Sequence, residues 1–208
     1  MPDGSYSAEY PQSTMDVGIT QRWRGKPVRV TVAESFDDLV RARVIRGIVW
    51  LAQEGARYDV QFDRNDTCAT HLLVWVGDEP VGTMRIRWLP DQARFEKLSV
   101  RPDYRGMPVF RALAKFAFAL CAGKGYRAVT SLAIEETVKL WKRLGATVTG
   151  EALPFMADKN MVPMKLELPA VAYPALKGGI ARAGNPDFEM ALFIPEADLM
   201  RSPSEVSA

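Results

Sequence analysis

Two stretches of this 208-residue chain hold residue types at spacings suited to chemistry. The first is EKLSVRPDYRGMPVFRAL, residues 96–113, which reads as a strand, a tight turn and the start of a helix. A helix start carries unpaired N–H groups and a partial positive charge, so such a turn suits a phosphate. Glycine usually serves there because it lets the backbone come close. Pro108 and Phe110 stand where two glycines would serve. Pro108 has no N–H to give, although the first helical turn is where that loss costs least. Gly106, Met107 and Val109 keep their amides, and Arg105 and Arg111 keep a positive field. Upstream, Glu96 is a carboxylate that burial in a cleft would make a better proton acceptor. Paired with Lys97 or an arginine, it is an ordinary strand residue.

The second stretch is GARYDVQFDRNDT, residues 55–67, with the strands after it. Asp63 and Asp66 suit anchoring an ammonium or ordering a loop, and equally a turn. Arg85 suits a carboxylate substrate or an acidic partner, or a cross-strand salt bridge. His71, the single histidine, sits beside Leu72 in a strand and reads as structural. The two cysteines, Cys68 and Cys121, lack metal-ligand spacing, and no metal is expected. Cys121 reads as inert core. A net charge of +2 gives no nucleic-acid footprint, and no apolar run is long enough to cross a membrane. MPDGSYSAEYPQST lacks the layout of a signal peptide, so a cytoplasmic location is expected.

Elements must position these residues. PVRVTVA (27–33) alternates as a strand, and Ser35 with Asp38 caps one or two helices over 36–54. There Phe36, Leu39, Val40, Val44, Ile48, Leu51 and Ala52 recur at helical spacing. Residues 55–67 are a loop. Strands 71–76 and 79–89 form a hairpin about Gly77-Asp78, and 93–100 is the next strand after a turn at Pro90-Asp91. A long helix over 107–125, a buried strand over 127–134 and a helix over 135–145 follow. TVTGEAL and MVPMKLELP (161–169) are the last two strands. The class is therefore α+β with a mixed sheet. Residues 1–25 read as a mobile arm, 26–169 as the domain, and 170–208 as an extension for docking or dimerisation.

This order, with KLSVRPDYRGMPVFRAL, resembles the GNAT N-acyltransferases, whose strand-turn-helix motif runs L-x-V-x-P-x-Y-R-G-x-G-x-G/A. Leu98, Val100, Pro102, Tyr104, Arg105 and Gly106 fall in register. LWKRLGA (140–146) is similar to that family's F-Y-x-x-L-G-F, and GDEPVGTMRIR to its second and third strands. The resemblance covers about 27–169. It implies a GNAT-like, mainly antiparallel sheet of about seven strands flanked by helices. It further implies acetyl-CoA or another acyl-CoA as co-substrate, and a small-molecule primary amine as acceptor. The loop of Arg105, Gly106, Met107, Val109, Phe110 and Arg111 would hold the phosphates, with the Phe110 ring as an obstacle. Free amides at Leu98, Ser99 and Val100 would hold the thioester and pantetheine. Glu96 would take the proton. Trp141 stands where the family often has a tyrosine acid; an indole can only pack or wall the thioester channel.

RGIVWLAQEGARYDVQFDRNDTCATHLL resembles the R-x-x-V-F-x-x-E-Q…F-D-x-x-D of the acyl-homoserine-lactone synthases and N-acyl amino acid synthases. These GNAT-fold enzymes take acyl chains from acyl-carrier protein. Arg46, Val49, Trp50, Phe62, Asp63 and Asp66 match in outline, and GTMRIRWLP is similar to G-x-x-R-L-L-P, with Arg85 on its arginine. Trp50, Asp63, Arg85 and Trp141 are then the substrate-side candidates. An acyl-carrier protein donor presents one phosphodiester, which makes a pyrophosphate cradle dispensable. Ordinary acetyltransferases carry a related F-D-x-N-D loop, so the alternatives stand side by side. They are a CoA-dependent N-acetyltransferase, an acyl-carrier-protein-dependent synthase, and a GNAT-fold binding module whose cleft Phe110 partly closes. A homodimer through the C-terminal arm is a family-level expectation.

Overall fold

The computed structural model describes residues 21–156 and 158–168. Expectations for residues 1–20 and for the extension from 170 fall outside the described residues. The strands are β1 (Gln21–Trp23), β2 (Lys26–Val32), β3 (Thr70–Val76), β4 (Glu79–Trp88), β5 (Ala93–Val100), β6 (Ala128–Ile134), β7 (Thr147–Val148), β8 (Leu153–Met156) and β9 (Lys159–Glu167). The helices are α1 (Phe36–Arg46), α2 (Tyr58–Gln61), α3 (Met107–Gly123) and α4 (Glu135–Arg143). A π-helical segment, Gly47–Gln53, continues α1. All nine strands join one sheet in the order β1-β2-β3-β4-β5-β6-β9-β7, with β8 on β9. Among the described residues only the β5–β6 pair is parallel, and α3 is its crossover. The two strands beyond the expected seven are short. Gln21–Trp23 lies in the stretch read as an arm, and TVTGEAL divides between β7 and β8.

β3 shows how the layers form. Leu72, Val74 and Val76 point to the face that holds α3, and Leu73 with Trp75 points to the face that holds α1. Both sets are needed because the strand is central and covered twice. α3 is buried almost all round from Val109 to Cys121, as its run of apolar residues demands. α1 starts at Ser35, whose Oγ accepts from the Asp38 N–H at 3.1 Å.

The inward face of α1 differs from the one its apolar spacing suggests. Phe36, Val40, Val44 and Ile48 lie on the exposed side, while Leu39, Ala42, Ile45 and Arg46 are buried. The reason is electrostatic. Turning the valine stripe inward would draw Arg46 away from Asp66, and both side chains are fully enclosed in their ion pair. The chain then widens into the π turn, where the Glu54 N–H reaches Val49 O at 3.2 Å. π turns are frequent at functional sites; this one aims Trp50 at β5, its Nε1 donating to Ser99 Oγ at 2.9 Å.

Candidate active site

β5 and β6 pair for three residues only, Ala93–Phe95 against Val129–Ser131, and then separate. On its other edge β5 stays joined to β4, but the register shifts between Thr83 and Arg85. Lys97 and Leu98 therefore have no partner in either ladder. This is a β-bulge, and Lys97 adopts φ 54°, rare for a residue with a side chain. Gly82 supports the bulge from β4: a Cβ there would stand 2.9 Å from Ser99 O and 2.7 Å from Val74 Cγ1.

Where the strands part lies a cavity of about 280 Å³. Phe95, Leu98, Ile134, Trp141, Phe155 and Met161 give it an apolar side, and Trp50 stands edge-on to Phe155 at 5.8 Å. Its polar side is Gln61, Asp63, Asn65, Arg85, Arg87, Arg94, Glu96 and Lys97. Six expected site residues thus line one cavity: Trp50, Asp63, Arg85, Glu96, Leu98 and Trp141. Ser99 stands behind it, holding Trp50, and Val100 is paired with Gly82. Gln61, Arg87, Arg94 and Lys97 were not singled out from the sequence. The signal for the two arginines was present, since Arg85, Arg87, Arg94 and Glu96 alternate along a hairpin and so share one face.

Arg85 does not await a substrate. Its side chain is 2% exposed, and its donors are spent on three carboxylates. Nη1 and Nη2 grip Asp63 at 2.5 and 2.8 Å, Nη1 also reaches Asp66 at 2.8 Å, and Nε and Nη2 reach Glu96 Oε2 at 2.9 and 2.6 Å. Burial alone would lower the guanidinium pKa, and these carboxylates raise it well above its ordinary value. Asp63 shows the converse: burial pushes its carboxyl up, but the Arg85 hydrogen bonds and charge, with Lys97, bring it down to about 2. Asp66 also accepts from Arg43 and Arg46 and is pinned in place, so it too is structural. Burial lowers the Lys97 ammonium, whose Nζ donates to Val60 O and lies 3.7 Å from Asp63. Glu96 Oε2 belongs to Arg85; Oε1 makes only ion contacts at 3.6 Å with Arg87 and Arg94.

The start of α3 lies apart from this cavity. Its first helical bond runs from Phe110 N to Gly106 O at 3.1 Å, so the Met107 and Val109 N–H groups come ahead of the ladder. Arg105 bridges the end of β5 and the π turn, donating to Val100 O and Gln53 Oε1, each at 3.2 Å. Phe110 corrects the expectation of an obstacle. Its ring is 6% exposed, packed edge-on to Trp141 at 5.4 Å within the core, because its helical position points it at the sheet. The group that covers the turn is Trp23 of β1: a Cβ on Gly106 would meet its ring at 2.6 Å.

Two further groups read as structural are so placed. Burial pushes the Cys121 thiol up to about 12, leaving it unreactive. His71 is buried with Nε2 against Asp66 O at 2.9 Å, and burial lowers its pKa from 6.5. The unfolded chain therefore binds a proton near pH 6.5 that the folded chain refuses. Stability from this group is full above pH 6.5 and declines as pH falls below it. Urea midpoints from pH 7.5 to 5 should fall more steeply for the native chain than for His71→Gln, which cannot titrate.

Among the described residues, no set of His, Cys, Asp and Glu gathers as metal ligands, and no helix is long and apolar enough to cross a membrane. A sequence profile described as Acetyltransferase (GNAT) family matches residues 36–146, more than half of the chain. Among curated proteins, none matches the sequence. Solved structures share the fold. A candidate N-acetyltransferase from Lactobacillus plantarum superposes with a TM-score of 0.64 at 22% identity, over 68% of this chain and 99% of that one. ElaA of Escherichia coli gives 0.60 at 18%, over 66% and 98%. FeeM, an N-acyl amino acid synthase from uncultured soil microbes, gives 0.57 at 15%, over 68% and 90%.

Proposed function

Because the chain belongs to the acetyltransferase (GNAT) family, and is an acyltransferase on that ground, we propose that it moves an acyl group, acetyl first, from a CoA thioester to the primary amine of a small molecule. The observation that carries this reading is the gap after Phe95 and Ser131, with Lys97 and Leu98 unpaired beside it. A pantetheine arm is narrow and extended, and the gap admits it between two strands. The thioester carbonyl then lies against main-chain N–H groups of the bulge, which stabilise the oxygen as it turns negative. The amine attacks that carbon, the new C–N bond forms and the C–S bond breaks. The ammonium proton goes to Glu96 Oε1 directly or through one water, and the thiolate takes a proton from solvent. Met107 and Val109 amides with Arg105 face the phosphates at the start of α3. Isothermal titration with CoA and acetyl-CoA, followed by thiol release against a panel of amines, tests the reading. Failure of both CoA species to bind would overturn it.

Acyl-carrier protein as donor is the second reading, favoured by Pro108, which lacks an N–H, and by Trp23 lying over Gly106. A donor with one phosphodiester needs less of that turn, and the likeness to FeeM points the same way. Trp23→Ala should tighten CoA binding by about tenfold, the equivalent of about 1.4 kcal/mol, if the indole keeps phosphates off the amides. Unchanged CoA affinity in Trp23→Ala, read by the same titration, removes the steric support for this alternative.

A further inference from the structure

Arg87 and Arg94 are Cα partners on β4 and β5, so their guanidinium groups rise side by side from one face of the sheet. Like charges directly opposite each other oppose strand pairing unless an anion lies near. The protein supplies little: Glu96 Oε1, at 3.6 Å from each, makes ion contacts longer than hydrogen bonds. Its other oxygen and both oxygens of Asp63 are committed to Arg85. Among the described residues, Arg43, Arg46, Arg85, Arg87, Arg94 and Lys97 face only Asp63, Asp66 and Glu96 across this cluster, so positive charge is in excess. Arg87 and Arg94 both line the cavity.

A second observation comes from another element. Gln61, at the end of α2, is 1% exposed and lines the same cavity, and its enclosed Oε1 has no hydrogen-bond partner among the described residues. A buried carbonyl oxygen left unpaired is destabilising, and an N–H from a ligand would relieve it. The cavity therefore presents a pair of cations for an anion, and behind its lining an acceptor that a small rotation of the Gln61 amide would offer to an N–H. We propose that the acceptor is an amine that carries a carboxylate, of the amino-acid type, with the carboxylate held by Arg87 and Arg94 and an N–H directed to Gln61. This rests on the acyl-transfer reading for its chemistry. The phosphates of CoA do not supply the anion, because Arg105, Gly106 and Met107 at the α3 start lie outside this wall.

The test uses the full chain with acetyl-CoA and L-amino acids, each beside its α-amide and its decarboxylated amine. The ratio of kcat/KM, acid over amide, should exceed about tenfold for the best acceptor, since charge-assisted bidentate contacts are the strong ones. In the Arg87→Gln/Arg94→Gln double variant, KM for the acid should rise at least tenfold and the ratio should fall to about one. Equal rates for acid, amide and amine in the native chain overturn the proposal. So does a double variant that keeps the ratio. If no acceptor releases thiol, the acyl-transfer reading fails separately, and titration of amino acid against amide without acetyl-CoA still decides the anion site. Preferential binding of the acid, lost in the double variant, supports it, and equal or absent binding overturns it. Gln61→Leu gives a second readout: acid affinity falls while folding stability holds or rises.

Discussion

Arg85→Ala lowers the stability of the fold by about 3–5 kcal/mol, the loss expected when one partner of a buried ion cluster is removed. The native side chain is 2% exposed, against fully enclosed Asp66 and mostly covered Asp63 and Glu96. Without the guanidinium, three carboxylates face one another in a wall that water reaches poorly. Arg43 and Arg46 still neutralise Asp66, but Asp63 keeps only the Asn65 N–H at 3.0 Å and the Lys97 ammonium at 3.7 Å. Urea unfolding at pH 7 measures the loss. Arg85→Met separates charge from volume: it retains the apolar stem and should remain nearly as unstable as alanine. The deficit should shrink as pH falls from 7 to 4, because the abandoned carboxylates then take up protons. The native chain behaves oppositely. Asp63, held to about 2 against its ordinary 3.8, contributes stability that is complete above pH 3.8 and is lost as pH falls towards 2. An Arg85→Met chain as stable as the native one at pH 7 would mean that the cluster is not what secures this wall.

That cluster marks the limit of what the residue order discloses. The capped helix start at Ser35, the hairpin about Gly77 and the long apolar helix α3 were legible because each rests on neighbours in sequence: a cap, a turn glycine, a period. Four features were not. β1 has three residues, too few for alternation; it pairs with β2, and its Trp23 packs on Gly106, far along the chain. α1 carries apolar residues on two faces, and the buried face is chosen by Arg46 and Asp66, whose pairing spans twenty positions. Arg85 read equally as a substrate anchor or a salt bridge, because the number of carboxylates on it depends on where the 55–67 loop folds. Glu96 remained ambiguous for the same reason. It is both the partner of Arg85 and a cavity-facing group, and its two oxygens divide the roles.

Glu96→Gln exploits that division and should lower kcat by about a hundredfold, the lower range of what a positioned proton acceptor contributes. The amide keeps one oxygen, which can accept from Arg85 Nε and Nη2 as Oε2 does now, so the buried fork is preserved in outline. What it removes is Oε1, the oxygen that makes ion contacts with Arg87 and Arg94 at 3.6 Å and that takes the proton in the proposed reaction. CoA affinity by titration should stay within about twofold, because the proposed phosphate contacts at the start of α3 do not involve Glu96. Asp63→Asn is the matched control. Both Asp63 oxygens already accept from Arg85, so this change weakens the fold without deleting a proton acceptor, and kcat per folded molecule should fall far less. If Glu96→Gln turns over within threefold of the native rate, the amine must reach the site already deprotonated. Glu96 is then a counter-ion to Arg85 alone, and the cavity catalyses by holding the thioester and the acceptor in line.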